Sequence, residues 1–329
     1  MHQQSDVEFA TTQLATGVRL HYATRGDQVG EAIVFLHGYS DSWYSFSRVL
    51  PLLSPEYHAF ALTQRGHGDS DKPECCYTPD DFAADVDAFM DAVGIEEATL
   101  VGASTGALFA QRAVLSYPRR VGRLVLIGAQ TPANEAVSGL REEVQALEDP
   151  VPQEFVREFQ ESTVYQPVSQ EFLDTVVSES LKLPARVWRD YLEQAVLSID
   201  HDYVLPLREI DVPTLVLWGE QDPLFPREEQ ERLAAAISGA TLRVYPETGH
   251  AVHWDRPEWV VRDLEAFIKD TSPARVRQGV PGEHHLPAGS ARVPRYGGLR
   301  EPQAPGPSLA RLFGGGGAFY RPRLCARAW

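Results

Sequence analysis

The chain has 329 residues, of which 43% are hydrophobic and 10% aromatic, enough apolar material for one large core or two modest ones. Its formal net charge of −16 disfavours nucleic acid as a partner. No apolar run reaches the roughly eighteen residues a membrane span needs, so neither nucleic acid nor membrane is expected.

The start, Met1-His2-Gln3-Gln4-Ser5-Asp6, has neither a basic n-region nor an apolar h-region, so no secretory signal is expected. Phe9–Ala15 and Val18–Thr24 read as a hairpin with Thr16-Gly17 at its bend. Six apolar runs follow as strands: 32–36, 58–62, 98–101, 124–127, 214–218 and a shorter, less apolar one at 242–245. Such near-continuous runs fit a parallel sheet covered on both faces.

Helical patterns fall between them. Thr78 can cap, Pro79 suits the first helical position, and Asp80 and Asp81 favour the positive helix end. Phe82, Val86, Phe89, Met90 and Val93 then form one buried stripe, and Gly94 closes the helix. Segments 105–117, 226–237 and 257–268 read as further helices. Strand–helix alternation of this kind predicts an α/β sheet with right-handed crossovers.

Two segments break the alternation. Residues 131–207 carry helix formers, acidic groups and recurrent Pro, and predict several short helices without a strand. Such an insertion between two sheet strands is expected to form a helical cap, or lid, over the strand ends. The predicted division is therefore a core domain from 1–130 and 208–270, a cap from 131–207 and a tail from 271–329. The tail holds nine Arg, no Lys, the acids Glu283 and Glu301, and a four-glycine run at 314–317. Disorder is its plain reading, with an anion-binding arm and a reading-frame artefact as alternatives. The three cysteines, Cys75, Cys76 and Cys325, form neither a disulfide framework nor a metal-ligand spacing, and a reducing cytoplasm is the default location.

Gly102-Ala103-Ser104-Thr105-Gly106 matches G-x-S-x-G between a predicted strand and a predicted helix. That turn is tight enough to need small residues, and it projects the Ser104 hydroxyl at the strand's carboxyl end. The helix beginning there offers free N–H groups, so the Thr105 N–H is a candidate oxyanion donor. An ordinary small-residue turn is the alternative reading. Position adds a second argument, because ligands of open parallel sheets bind beyond the carboxyl ends of strands. His37-Gly38-Tyr39, Ser104, Asp222 and His250 all follow such ends.

On these residues the chain resembles the α/β-hydrolase superfamily, within its lid-bearing group of esterases, carbon–carbon bond hydrolases, perhydrolases, epoxide hydrolases and dehalogenases. The resemblance covers residues 7–269. It is carried by His37–Trp43, Gln64–Asp71, the Ser104 turn, Gly219–Pro223 and Gly249–Trp254. The order Ser, Asp, His is that of this fold. The resemblance implies Ser104 as nucleophile, Asp222 as the acid, His250 as the base, and the N–H of Tyr39 as an oxyanion donor beside that of Thr105. It implies no metal and no organic cofactor.

Two departures stand out. The family's Ser is more often flanked as H-S-M-G-G, whereas Ala103 and Thr105 flank it here, and the Thr105 hydroxyl is expected to alter pocket polarity. Gln64 also replaces the residue many members carry before the Arg-Gly turn. Epoxide hydrolases and dehalogenases of the family need an Asp nucleophile, so Ser104 argues against both and favours acyl transfer.

His253 and Glu220 are weaker alternatives for base and acid, His37 and His67 read as structural, and Cys75-Cys76 as inert or mildly redox-sensitive. The insertion supplies Phe155, Phe159, Tyr165, Trp188 and Tyr191, read mostly as packing. Trp188, with Trp43, Leu224, Phe225 and Val252, is expected to wall an apolar pocket. The expected function is hydrolysis of a small or medium hydrophobic ester, a small-molecule partner. Carbon–carbon bond hydrolysis of a diketone and cofactor-free perhydrolysis remain open with the same triad, as does a non-catalytic small-molecule receptor on this scaffold.

Overall fold

The structure is a computed structural model that describes residues 7–129, 135–197 and 205–271. Expectations for the first six residues and for the tail after Thr271 lie outside the described residues. The hairpin is present as β1 (Glu8–Gln13) and β2 (Arg19–Gly26), paired antiparallel. Six further strands follow: β3 (Ala32–Leu36), β4 (His58–Thr63), β5 (Ala98–Ala103), β6 (Val121–Ile127), β7 (Thr214–Gly219) and β8 (Thr241–Tyr245).

They form one eight-stranded sheet in the order β1-β2-β4-β3-β5-β6-β7-β8. From β4 through β8 every pairing is parallel, while β2 meets β4 antiparallel. All residues of β3, β5, β6 and β7 are buried, which is why their runs are apolar without alternation. β8 is the edge and alternates in exposure, matching its mixed composition.

Helix α1 (Pro79–Val93) has the predicted cap. Thr78 Oγ1 accepts from Asp81 N–H, and the Asp81 carboxylate accepts from Thr78 N–H. Helix α2 (Thr105–Ser116) follows β5 and is buried along most of its length. Between β6 and β7 the described residues hold no strand but four helices: α3 (Glu135–Gln145), α4 (Gln153–Glu161), α5 (Gln170–Ser180) and α6 (Ala185–Tyr191), the last continued by a π-helical turn, Leu192–Val196. Helices α7 (Arg227–Ala236), α8 (Val252–Asp255) and α9 (Pro257–Asp270) complete the chain.

The two faces of the sheet carry separate cores. Val34, Leu36, Leu100, Leu124 and Val216 pack with α1 and α2 on one face. Ile33, Phe35, Val101, Val125 and Leu217 pack with α9 on the other. Burial of this kind is worth about 25 cal/mol per Å² of apolar surface.

The cysteine expectation needs one addition. Cys75 and Cys76 are joined in a disulfide between chain neighbours. It crosslinks no distant segments, so the fold rests on its cores. No helix among the described residues is long and apolar enough to cross a membrane.

Candidate active site

Ser104 sits between β5 and α2 with φ +53° and ψ −121°, a backbone conformation that L-residues seldom adopt. The turn tolerates it because its neighbours are small. A Cβ added to Gly106 would lie 2.2 Å from the Leu36 carbonyl oxygen, so only glycine lets α2 start this close to β3. The result is a sharp strand-to-helix reversal with the Ser104 side chain at the sheet's carboxyl edge.

Asp222 follows β7. Its Oδ1 accepts N–H bonds from Leu224 (2.8 Å) and Phe225 (3.1 Å). Oδ2 lies 2.9 Å from Nδ1 of His250, which is on the loop after β8. The Asp222 side chain is fully buried and that of His250 is 7% exposed. Because one carboxylate oxygen is held by the backbone, the other is aimed at the imidazole, and Nδ1 must carry the proton to bond it. Behind the ring lies Gly128 with φ +50°, where a Cβ would come within 3.2 Å of His250 Nδ1.

Ser104 and His250 line one cavity of about 40 Å³, together with Gly38, Tyr39, Asp41 and Leu224. Among the described residues no hydrogen bond yet joins Ser104 Oγ to the His250 ring. Such contacts commonly tighten only when substrate is bound. The N–H groups of Tyr39 and Thr105 donate to no acceptor among the described residues. Thr105 opens α2 and so has no partner four residues back. One of these donors belongs to the residue that follows Ser104 and the other to a residue that lines the same cavity.

The loop carrying Tyr39 is braced from beneath. Gln64 N–H donates to His37 Nε2 at 3.0 Å, so Nε2 is the acceptor and Nδ1–H donates to the Gly38 carbonyl at 2.8 Å. Burial lowers the His37 pKa to about 4, which keeps that neutral tautomer. Gln64 Nε2 also donates to the His37 carbonyl, which gives a role to this departure from the family pattern. Below it, Arg65 makes a two-pronged bond to the buried Asp85 and a third to the Cys76 carbonyl. His67 is buried against the Arg65 carbonyl and stands in the same structural shell.

The weaker candidates separate clearly. Glu220 is exposed and does not bond His250. His253 reaches the cavity wall, but its Nε2 meets Ser45 Oγ and its Nδ1 has no partner among the described residues. Burial drives its pKa down to about 3. No carboxylate orients it directly.

The expected pocket wall needs correction at four positions, since only Leu224 of the five residues lines the cavity. Trp188 is fully buried beneath Tyr39, whose hydroxyl donates to the Trp188 carbonyl. Phe225 packs on the far side of the His250 ring. Val252 is buried in the core under the sheet, and Trp43 packs with Phe9 and Tyr44. All four are apolar, and Phe225 and Val252 lie within three residues of Asp222 and His250, but each side chain is directed into packing. The Thr105 hydroxyl is corrected likewise: it bonds Tyr191 OH at 2.7 Å and does not reach the cavity.

The residues the sequence did not single out are Asp41, Gln160 and Thr163. Gln160, on α4, donates through Nε2 to Ser40 Oγ, Asp41 Oδ1 and Ser180 Oγ. The Thr163 carbonyl accepts from Ala251 N–H, next to His250. Asp255 accepts from Gly249 N–H and Tyr165 N–H, so the insertion is clipped to the His250 loop from both sides. Ser40-Asp41 following His37-Gly38 was the available signal for this layer.

Comparison with known proteins agrees with this architecture. The pattern of the alpha/beta hydrolase fold family matches residues 31–257. A 2-hydroxy-6-oxononadienedioate/2-hydroxy-6-oxononatrienedioate hydrolase of Burkholderia vietnamiensis is 32% identical over 77% of this chain and 92% of its own. Epoxide hydrolase 4 of Homo sapiens is 26% identical over 78% of this chain and 77% of its own. Among solved structures, the esterase RhEst1 from Rhodococcus sp. ECU1013 superposes with a TM-score of 0.70 at 25% identity, covering 79% of this chain and 98% of that one. With the sheet order, the Ser104 turn and these relatives in agreement, the chain belongs to the α/β-hydrolase family and is a hydrolase.

Proposed function

We propose that this hydrolase cleaves a small or medium hydrophobic carboxylic ester through an acyl-enzyme on Ser104, with His250 as base and Asp222 as its orienting acid. The observation that carries the reading is the locked Asp222–His250 pair, 2.9 Å apart, opening onto the cavity that Ser104 lines. Ser104 Oγ attacks the carbonyl carbon while His250 Nε2 takes its proton. Asp222 stabilises the imidazolium so formed. The carbonyl oxygen gains negative charge within reach of the N–H groups of Tyr39 and Thr105, each worth on the order of 3 kcal/mol to the transition state. Collapse expels the alcohol, which leaves with the proton from His250. Water then attacks the acyl carbon as His250 accepts its proton, and Ser104 is restored.

A second reading, carbon–carbon bond hydrolysis, is favoured by the Burkholderia relative's name. That name describes a dicarboxylate. Among the described residues no Lys or Arg lines this cavity, and Asp41 does, which favours a neutral substrate over a dianion. The epoxide hydrolase relative does not shift the balance, since Ser104 stands where displacement at carbon calls for an Asp.

The test is a p-nitrophenyl ester panel beside a vinylogous diketone, with fluorophosphonate labelling and Ser104→Ala as control. Turnover of short-chain esters and a label on Ser104 are expected. Diketone cleavage with negligible ester turnover would install the second reading, and an unlabelled Ser104 in folded protein would remove both.

A further inference from the structure

We propose that Asp41 is a specificity-determining residue that repels carboxylate-bearing substrates, so that the site takes neutral acyl compounds. The inference rests on the Ser104 reading above and deepens it. Asp41 follows Tyr39 by two residues on the loop after β3 and shares the cavity wall with Ser104 and His250.

Among the described residues its two oxygens have only neutral partners: Ser45 Oγ donates to Oδ2 at 2.9 Å, and Gln160 Nε2 donates to Oδ1 at 3.1 Å. The groups facing it from surrounding elements are equally uncompensating. Tyr39 on its own loop and Tyr191 from the end of α6 are buried phenols whose pKa values burial raises. His253 on α8 is kept neutral by burial. Among the described residues only the His250 imidazole, when protonated, places a positive charge against it.

Burial pushes the Asp41 carboxyl up to about 6, with the Ser45 and Gln160 hydrogen bonds acting the other way. At pH 8 the group is ionised. A buried charge that lacks a permanent counter-ion among the described residues acts strongly on its surroundings, because little water screens it. The charge therefore projects into the cavity where an acyl chain must lie. A terminal carboxylate there meets like charge, while an alkyl chain of equal length does not. The wall is thus opposite in sign to one built for a dicarboxylate of the kind the Burkholderia relative's name describes.

The experiment compares p-nitrophenyl butyrate with the mono-p-nitrophenyl ester of succinate, which match in length and differ in charge. Wild-type protein at pH 8 is expected to favour the neutral ester by ~100-fold in kcat/KM, from like-charge repulsion in a poorly screened site. Asp41→Asn is expected to narrow that ratio at least ~10-fold, and Asp41→Glu to keep it. The ratio is taken on one preparation, so a general loss of activity cancels.

Wild type supplies a second readout with no substitution. Lowering the pH from 8 to 5.5 neutralises part of Asp41 while the succinate ester stays ionised, so its ratio narrows, whereas Asp41→Asn stays flat. A ratio indifferent to both charge removal and pH, with neutral-ester turnover still dependent on Ser104, overturns the Asp41 proposal alone. Absence of Ser104-dependent turnover of the neutral ester overturns the Ser104 reading, and this proposal with it.

Discussion

Replacing Asp222 with Asn tests the site most sharply, because the structure dictates what the amide must do. Oδ1 of Asp222 accepts two backbone N–H bonds, from Leu224 and Phe225, and a carbonyl oxygen can do the same. An NH2 group cannot. The introduced amide is therefore forced to place its oxygen toward the backbone and its NH2 toward His250, at the 2.9 Å position now held by Oδ2. A donor there requires Nδ1 to be the unprotonated nitrogen, which leaves the proton on Nε2. That is the nitrogen that must receive the Ser104 proton. The bond count is conserved, so the fold should be retained, but the base is held in the wrong tautomer. The loss expected for such an arrangement is about 10⁴-fold in kcat/KM, or roughly 5 kcal/mol of transition-state stabilisation. The assay is steady-state hydrolysis of p-nitrophenyl butyrate, with the fluorophosphonate labelling rate as an independent measure of Ser104 nucleophilicity. Circular dichroism and a denaturant midpoint close to wild type would show the fold intact. A variant retaining activity within tenfold of wild type would refute the assigned roles of Asp222 and His250.

Three further outcomes follow from the surrounding structure. Gly128→Ala puts a Cβ 2.8 Å from the His250 carbonyl oxygen and 3.2 Å from its Nδ1, at a residue with φ +50°. Strain of about 1–3 kcal/mol and a kcat reduced by more than tenfold are expected, read by denaturant titration and steady-state kinetics. Arg65→Ala strands the buried Asp85, the two side chains being 5% exposed each, and should cost about 3–5 kcal/mol in a chemical-denaturation measurement. The third outcome concerns pH. His37 and His253 have folded pKa values lowered to about 4 and about 3, so the unfolded chain binds more protons below its usual value of about 6.5. Stability contributed by these two residues is present above that value and is lost as the pH falls toward 4. Asp41 has the opposite sign, since its raised pKa makes the folded state the better proton acceptor below about 6. Taken alone, these three groups leave a net loss of a few kcal/mol between pH 6.5 and 4 by linkage, and His67, whose pKa burial also holds well below its usual value, adds to it. Denaturant midpoints measured across that range should decline, and a midpoint that rises would contradict the neutral assignment of the two imidazoles.

What could be read from the sequence follows from how local each signal is. The strand at 32–36 is bounded as expected because every residue in it is buried, so the apolar run and the strand coincide. β6 begins three residues before its apolar run because Arg123 lies inside it. That guanidinium is buried by bonds to Glu31 and to the Thr271 carbonyl, partners no local pattern announces. Helix α1 was legible to the residue, since its cap lies within four positions. The Ser104 turn is legible for the same reason, since it demands small residues on either side, whereas Asp222 and His250 are marked by the family resemblance and lie 2.9 Å apart. Asp41 and Gln160 were not legible. They meet across 119 positions, and a lone polar residue in sequence reads as surface. The four misplaced wall residues failed differently. Hydrophobicity near the triad says that a side chain is buried, but not on which side of a turn it lies. Phe225 and Val252 support the His250 loop from behind.

The size of the cavity bears on how this hydrolase works. About 40 Å³ holds roughly one water molecule, whereas pockets enclosing small organic ligands run to ~300–1,000 Å³. The cavity is narrow although its mouth reaches solvent, so a substrate of more than a few atoms fits beside Ser104 only if part of the wall withdraws. The sheet edge cannot yield, because Ser104, Asp222 and the loop over His37 are each tied to fully buried strands. The helical segment between β6 and β7 can. Its α6 end is held by Trp188 and Tyr191, both fully buried and stacked around Tyr39, and pulling these rings free would expose a large apolar area. Its α4 end contributes Phe159, Gln160 and Thr163 to the wall and is held as well: Phe159 packs edge-on against Tyr39 and Trp188, Gln160 bonds Ser40 and Asp41, and the Thr163 carbonyl accepts from Ala251 N–H. Each such bond nets only about 1 kcal/mol, since water replaces it on opening. Withdrawal of either end therefore costs ring contacts around Tyr39 as well as hydrogen bonds.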